Sequence, residues 1–146
     1  MAGNALVASA VGTASGWEDA TLQSAALLVN IGAANADYPQ ACVDSVHANG
    51  PYIVLTKGLA LAHARPEAGA LGRGLSLLRL EQPVEFGHQS NDPVDLVLSF
   101  CALEGGGHLE VIQNLAIALQ KGLANELRTA EPSALDALLE GVLNRE

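Results

Sequence analysis

Two histidines stand where imidazole chemistry is possible. In "GLALAHARPE", residues 58–67, His63 interrupts a run of small apolar residues, and Arg65 follows two places later. Strand alternation puts Leu61, His63 and Arg65 on one face and Ala60, Ala62 and Ala64 on the other, where small side chains leave room for another molecule. From position alone, a hydrogen-bonded core histidine fits His63 as well as a reactive one. His108 follows "EGGG" and opens an apolar helical run. Unpaired N–H groups and partial positive charge gather at a helix start, which favours anions and keeps an imidazole neutral. Gly106 and Gly107 allow close approach to the backbone. The alternative is a loop after a strand that happens to be glycine-rich. The other two histidines look structural: His47 falls late in a helix, and His88 in the polar loop "GHQSND".

Several elements must position these groups. "ALVASAV" (5–11) reads as a strand. A helix follows, with Ser15 as its cap, Glu18 and Asp19 in its first turn and a stripe of Trp17, Leu22, Ala25, Ala26 and Val29. A second helix spans about Pro39 to His47 and stops at Asn49-Gly50-Pro51. "PYIVLT" (51–56) and "LALAHA" (59–64) read as strands. So does 73–86, with a turn at Pro83, and 94–103 after the "NDP" turn. Leu109, Ile112, Ala116 and Leu119 mark the apolar stripe of the helix that His108 opens, and Gly122 stops that helix. A last helix, "PSALDALLEGVLNR", has Ser133 and Asp136 at capping-box spacing and buries Leu135, Leu138, Leu139 and Val142. One mixed β-sheet with helices on both faces buries every stripe. The turn-punctuated strands 73–103 pair antiparallel, and the helical excursions imply some parallel neighbours.

Composition narrows the function. The 146 residues suit one domain, with 49% hydrophobic residues and 16% charged. A net charge of -9 argues against nucleic acid. No apolar run approaches the ~18 residues of a membrane span. "VASA" loosely mimics a signal cleavage site but no basic segment precedes it, so a cytoplasmic location is expected. Cys42 and Cys101 show no regular spacing and read as buried free thiols. GxSxG and GxxxxGK[ST] are both missing, which disfavours a hydrolase elbow and direct nucleotide use. If the sheet joins the ends of strands 59–64 and 94–103, His63 and His108 become neighbours. A metal site would need more ligands than the spacing offers. Phosphoryl transfer through a histidine needs little beyond a neutral imidazole and donors for the phosphoryl oxygens.

"GPYIVLTKGLALAHARPEAG", "GLSLLRLEQPVEFGHQSNDPVDLVLSFCAL" and "HLEVIQNLAIAL" together resemble the enzyme IIA components of the bacterial phosphoenolpyruvate:sugar phosphotransferase system. The resemblance is to the mannitol/fructose superfamily and, within it, to the ascorbate-type branch. It is continuous from about Pro51 to Leu119, and the helices around Trp17 and "YPQACVDSV" also fit. It implies a mannitol-type enzyme IIA fold, one type 2 domain over 1–146, and a phosphotransferase that carries phosphohistidine. His63 corresponds to the histidine that accepts the group from the carrier HPr, and His108 to the supporting histidine. The group would pass to a cysteine of enzyme IIB, which works with a membrane enzyme IIC, for uptake of a sugar such as ascorbate. No cofactor, metal or nucleic acid is implied. A regulatory paralogue, phosphorylated on the same His63 and signalling by protein binding, is the alternative.

Two departures from the family pattern stand out. The usual proline before the active histidine is Ala62, which loosens the backbone there. Mannitol-type members carry an arginine in the preceding helix, but "CVDSVHANG" has none, in keeping with the ascorbate-type branch. Arg65 could supply that charge, or it could pair with Glu67 or solvent. A partner surface is expected around His63, with Leu59, Leu61 and the alanines as its apolar centre.

Overall fold

The computed structural model describes residues 6–103, 105 and 107–144; the side chain of His108 lies outside that description. Five strands form one mixed sheet in the order β1-β4-β5-β3-β2. They are β1 (Leu6–Gly12), β2 (Val54–Thr56), β3 (Leu59–Ala62), β4 (Gly74–Val84) and β5 (Val94–Cys101). β1 with β4 and β3 with β5 are parallel, while β4 with β5 and β2 with β3 are antiparallel. The expected mixture of pairings is therefore present.

Helices α1 (Trp17–Asn30) and α2 (Tyr38–Asn49) cover one face. Helices α3 (His108–Gln120), α4 (Leu123–Thr129) and α5 (Leu135–Leu143) cover the other. Strand alternation divides β3 between the two layers: Ala60 and Ala62 join the core under α1 and α2, and Leu59 and Leu61 join the core under α3 to α5. The room expected beside the alanines is thus filled by the α1 and α2 layer.

Several sequence expectations need correction. The strand expected over 51–56 begins only at Val54, after a turn. The strand expected over 59–64 ends at Ala62, so His63 stands one residue beyond it. Pro83 makes no turn and lies inside β4. It is tolerated there because β1 pairs only as far as Leu80, and the β4–β5 register breaks between Arg79 and Val84. Helix α4 was not anticipated, although Leu123 and Leu127 are buried at helical spacing. Neither expected serine cap forms. Gly16 caps α1, and Asp19 instead accepts the Ser15 N–H at 3.0 Å. Ala134 caps α5, and Asp136 accepts the Ser9 hydroxyl at 2.6 Å.

Two helical phases also differ. In α3 the buried residues are Val111 and Leu115, while Leu109 is 66% exposed. In α1 the buried face is Ala20, Thr21, Ser24, Ala25 and Leu28. Of its two buried hydroxyls, that of Ser24 is paired with the sheet, whereas Thr21 Oγ1 has no hydrogen-bond partner among the described residues. Ser24 Oγ donates to the Val97 carbonyl at 2.7 Å, Ser99 Oγ donates to Ser24 Oγ at 2.8 Å, and Ser76 Oγ donates to the Ser24 carbonyl at 2.8 Å. Buried hydroxyls cost little once they are paired in this way.

Candidate functional site

The parallel register Ala62↔Ser99 brings the carboxyl ends of β3 and β5 to the same edge of the sheet. In open α/β sheets that edge is where ligands are usually met. His63 leaves β3 there, and the segment leading to α3 leaves β5 there. His63 and Gly105 line one open groove of about 420 Å³, together with Ser45, Tyr52 and Arg65.

The half-buried His63 ring is held on two sides. The Phe100 ring lies 5.1 Å away, tilted by 32°. The Tyr52 ring meets it edge-on at 6.0 Å and is steadied by a 3.2 Å hydrogen bond between its hydroxyl and that of Ser45. His63 Nδ1 is 3.1 Å from the carbonyl oxygen of Leu61. A carbonyl only accepts, so Nδ1 carries the proton, and whenever the ring is neutral its lone pair is at Nε2. The local sequence makes this possible: once the strand has ended, the side chain turns back onto the residue two before it.

Gly107 caps α3 in the left-handed conformation (φ 99°), which favours glycine. Among the described residues no side chain caps the first-turn N–H groups. His108 opens α3 as expected; its side chain, like Gly106, lies outside the described residues. Arg65 is exposed and lines the groove. Among the described residues no carboxylate lies within ion-pair distance of it, so the alternative pairing with Glu67 does not form.

Two aromatic residues and one arginine of this edge escaped the sequence reading. Tyr52 and Phe100 looked like ordinary strand residues. Arg73 immediately precedes β4, and the antiparallel pairing of β4 with β5 returns it to the same edge. It pairs with Glu110 of α3 at 3.5 Å, and its Nη1 lies 3.4 Å from where a side chain on Gly107 would begin. Its signal was positional: a residue opening a strand antiparallel to β5 must lie beside the end of β5.

The expected apolar centre for a partner is corrected. Leu59, Leu61, Ala60 and Ala62 are at most 1% exposed, because both faces of β3 are covered by helices. Among the described residues, the exposed apolar side chains in the segments that meet this edge include Tyr52, Leu71, Leu103 and Leu109.

The remaining candidates are structural. His47 pairs with Glu18 at 2.6 Å on the surface and meets the Trp17 ring at 5.0 Å. His88 Nδ1 accepts the N–H groups of Ser90 and Asn91, both at 3.1 Å, and so shapes its own loop. Cys42 and Cys101 are buried free thiols, and burial pushes each up to about 12. No group of three or more metal-ligating side chains occurs among the described residues. A larger groove of about 540 Å³ lies at the opposite end of β3 and β5, but its Arg128 is bound to Asp95 at 2.9 Å, and no histidine lines it. Size does not mark the site here; chemistry does.

Fold and site together define a mixed-sheet α/β domain with a half-buried histidine at the carboxyl edge of its sheet. The family model for the phosphoenolpyruvate-dependent sugar phosphotransferase system, EIIA 2, matches residues 6–141, and the chain belongs to that family. An ascorbate-specific EIIA component of Shigella boydii is 42% identical over 95 residues, 65% of this chain and 62% of that protein. The match thus spans less than two thirds of these curated relatives' length. The solution structure of the mannitol-specific cryptic phosphotransferase enzyme IIA from Escherichia coli is 33% identical, with a TM-score of 0.74 over 97% of this chain and 92% of that one. An Escherichia coli complex of enzyme IIAMTL with phosphorylated enzyme IIBMTL contains a chain 25% identical, with a TM-score of 0.76 over 97% of this chain and 96% of that one. The expected mixed sheet with helices on both faces is therefore the mannitol-type enzyme IIA fold. Among the described residues no helix is long and apolar enough to cross a membrane.

Proposed function

We propose that the chain, as a single type 2 EIIA domain over residues 1–146, is a cytoplasmic phosphocarrier with His63 as its phosphoacceptor. The observation that carries this reading is the Nδ1–H bond to the Leu61 carbonyl, which leaves the lone pair on Nε2. Nε2 attacks the phosphorus of phospho-HPr. The new N–P bond forms as the donor's N–P bond breaks, and that electron pair stays on the donor imidazole. Positive charge then grows on the His63 ring, and the Leu61 carbonyl stabilises it through Nδ1–H. In the second step a thiolate of enzyme IIB attacks phosphorus, an S–P bond forms, and the pair returns to Nε2.

Little covalent chemistry is required, so the protein acts by positioning and electrostatics. The uncapped N–H groups at Gly107 and His108, with Gly106 beside them, would receive phosphoryl oxygens. The His108 side chain and the Arg65 guanidinium would add to the hold. Tyr52, Leu103 and Leu109 would form the apolar part of the surface that meets HPr and enzyme IIB. The ascorbate-specific relatives favour ascorbate as the transported sugar, and the resemblance to the family implies a membrane enzyme IIC beyond the IIB partner.

Mixing the phosphorylated chain with an ascorbate-type enzyme IIB tests the second step. Transfer to the wild-type partner, and none to a partner lacking its cysteine, is the expected result. A phosphorylated chain that keeps its label against every enzyme IIB would instead fit the regulatory paralogue.

A further inference from the structure

Tyr38 opens α2 and is 1% exposed. Its hydroxyl occupies the place where β3 and β5 separate. Their ladder ends at Ala62↔Ser99, and residues 63–65 have no regular secondary structure. Backbone groups at such a split still need partners. The Ala64 N–H donates to the Tyr38 hydroxyl oxygen at 3.1 Å, and that hydroxyl donates to the Phe100 carbonyl at 2.8 Å. The Ala64 carbonyl, at 3.3 Å, is the longer and weaker alternative for the same proton. One hydroxyl can accept and donate together, so it bridges the two strands just beyond the end of their ladder. The two residues it joins are the neighbour of His63 in sequence and the residue whose ring lies against His63.

We propose that Tyr38 is a positioning residue for His63, its hydroxyl bridging Ala64 to Phe100 and so holding the imidazole with Nδ1 on the Leu61 carbonyl. The proposal rests on the reading of His63 as phosphoacceptor and adds the group that fixes which nitrogen reacts. Burial drives the phenol's ionisation upward, so the donor proton is retained at neutral and mildly alkaline pH. Phenylalanine would keep the ring and lose the bridge, leaving the Phe100 carbonyl without this donor and the Ala64 N–H without this acceptor.

The test compares Tyr38→Phe with Ser24→Ala, which also removes a buried hydroxyl but one bonded to Val97 and Ser99 and not to Ala64 or Phe100. Two quantities are read: the neutral His63 tautomer, by nitrogen-15 spectroscopy of the unphosphorylated chain, and the single-turnover rate of phosphoryl uptake from phospho-HPr. Tyr38→Phe is expected to give a mixture of Nδ1–H and Nε2–H tautomers and a rate lowered by about tenfold to a hundredfold. Ser24→Ala is expected to melt at lower temperature with the wild-type tautomer and rate. A Tyr38→Phe chain with the wild-type tautomer would overturn the proposal whatever its rate or melting temperature. Should that variant not fold, 3-fluorotyrosine at position 38 keeps ring and hydroxyl but weakens the oxygen as an acceptor. A smaller shift of the same tautomer ratio is then expected, and no shift would overturn the proposal. A wild-type chain that takes no phosphate would count against the phosphocarrier, while the tautomer comparison would still decide the role of Tyr38.

Discussion

The carbonyl oxygen of Leu61 lies 3.1 Å from Nδ1 of His63, two residues ahead in the same chain. The contact ties the protonation state of the ring to the point where β3 ends. Had the strand continued through position 64, the side chain at 63 would have stood away from the backbone of 61. The early end of β3 is thus part of what gives the nucleophile its orientation.

Arg65 separates function from stability. It is exposed and, among the described residues, has no carboxylate partner. Arg65→Ala is expected to change unfolding free energy by less than about 0.5 kcal/mol. The rate of phosphoryl uptake is expected to fall by about tenfold, the loss of one charged donor from the transition state. Urea melts and single-turnover rates measure the two effects; an unchanged rate would remove Arg65 from the site.

Gly58 is required by geometry at the opposite end of the sheet. Its φ is +75°, and a side chain would run into the Arg128 guanidinium and come within 2.9 Å of Asp95 Oδ1. Arg128 there binds Asp95 through two nitrogens and also donates to the Lys57 carbonyl at 3.0 Å. Gly58→Ala is expected to cost about 2 kcal/mol in a denaturant melt, from strain and displacement of that arginine together. Phosphoryl uptake by the folded fraction is expected to be unaffected.

Much of this architecture could be read from the residues, and the misses have physical causes. The sheet, its helical layers and the meeting of the ends of β3 and β5 beside His63 followed from strand alternation, glycine stops and the resemblance around His63 and His108. The phase of α3 did not, because Leu109, Val111, Ile112, Leu115 and Ile117 surround the helix with apolar side chains and no single stripe stands out. The buried face of α1 was hidden by Thr21 and Ser24: Ser24 looks polar until the hydroxyls of Ser76 and Ser99 are seen across from it, and Thr21 is buried with its hydroxyl unpaired among the described residues. Tyr38 and Arg73 reach the site from segments distant in sequence, shown only by the hydrogen bonds of Tyr38 and the pairing of β4 with β5.

Asp19 gives a pH dependence of definite sign. The Ser15 N–H and then the Gln23 side chain hold its carboxyl below the ordinary 3.8. The folded chain therefore takes up this proton at lower pH than the unfolded chain does, and the carboxylate stabilises the fold above pH 3.8. That contribution fades as pH falls through the folded value. Melts of wild type and Asp19→Asn between about pH 2 and 6 are expected to differ most at the upper end and converge toward the lower. A difference independent of pH would contradict the assignment.

Cys42 and Cys101 are expected to be inert in the folded chain. Burial pushes each up to about 12, so at pH 8 roughly one part in ten thousand is thiolate. A thiol reagent at that pH is expected to label neither cysteine quickly in the native protein and both once it is unfolded. Rapid native labelling would show that one of them is accessible.

The central claim concerns His63 and calls for intact mass measured after incubation with phosphoenolpyruvate, enzyme I and HPr. Wild type is expected to gain one acid-labile phosphoryl group, and His63→Ala to gain none while melting as a folded protein. A gain that survives in His63→Ala, or no gain in wild type, would contradict the assignment of His63 as the phosphoacceptor.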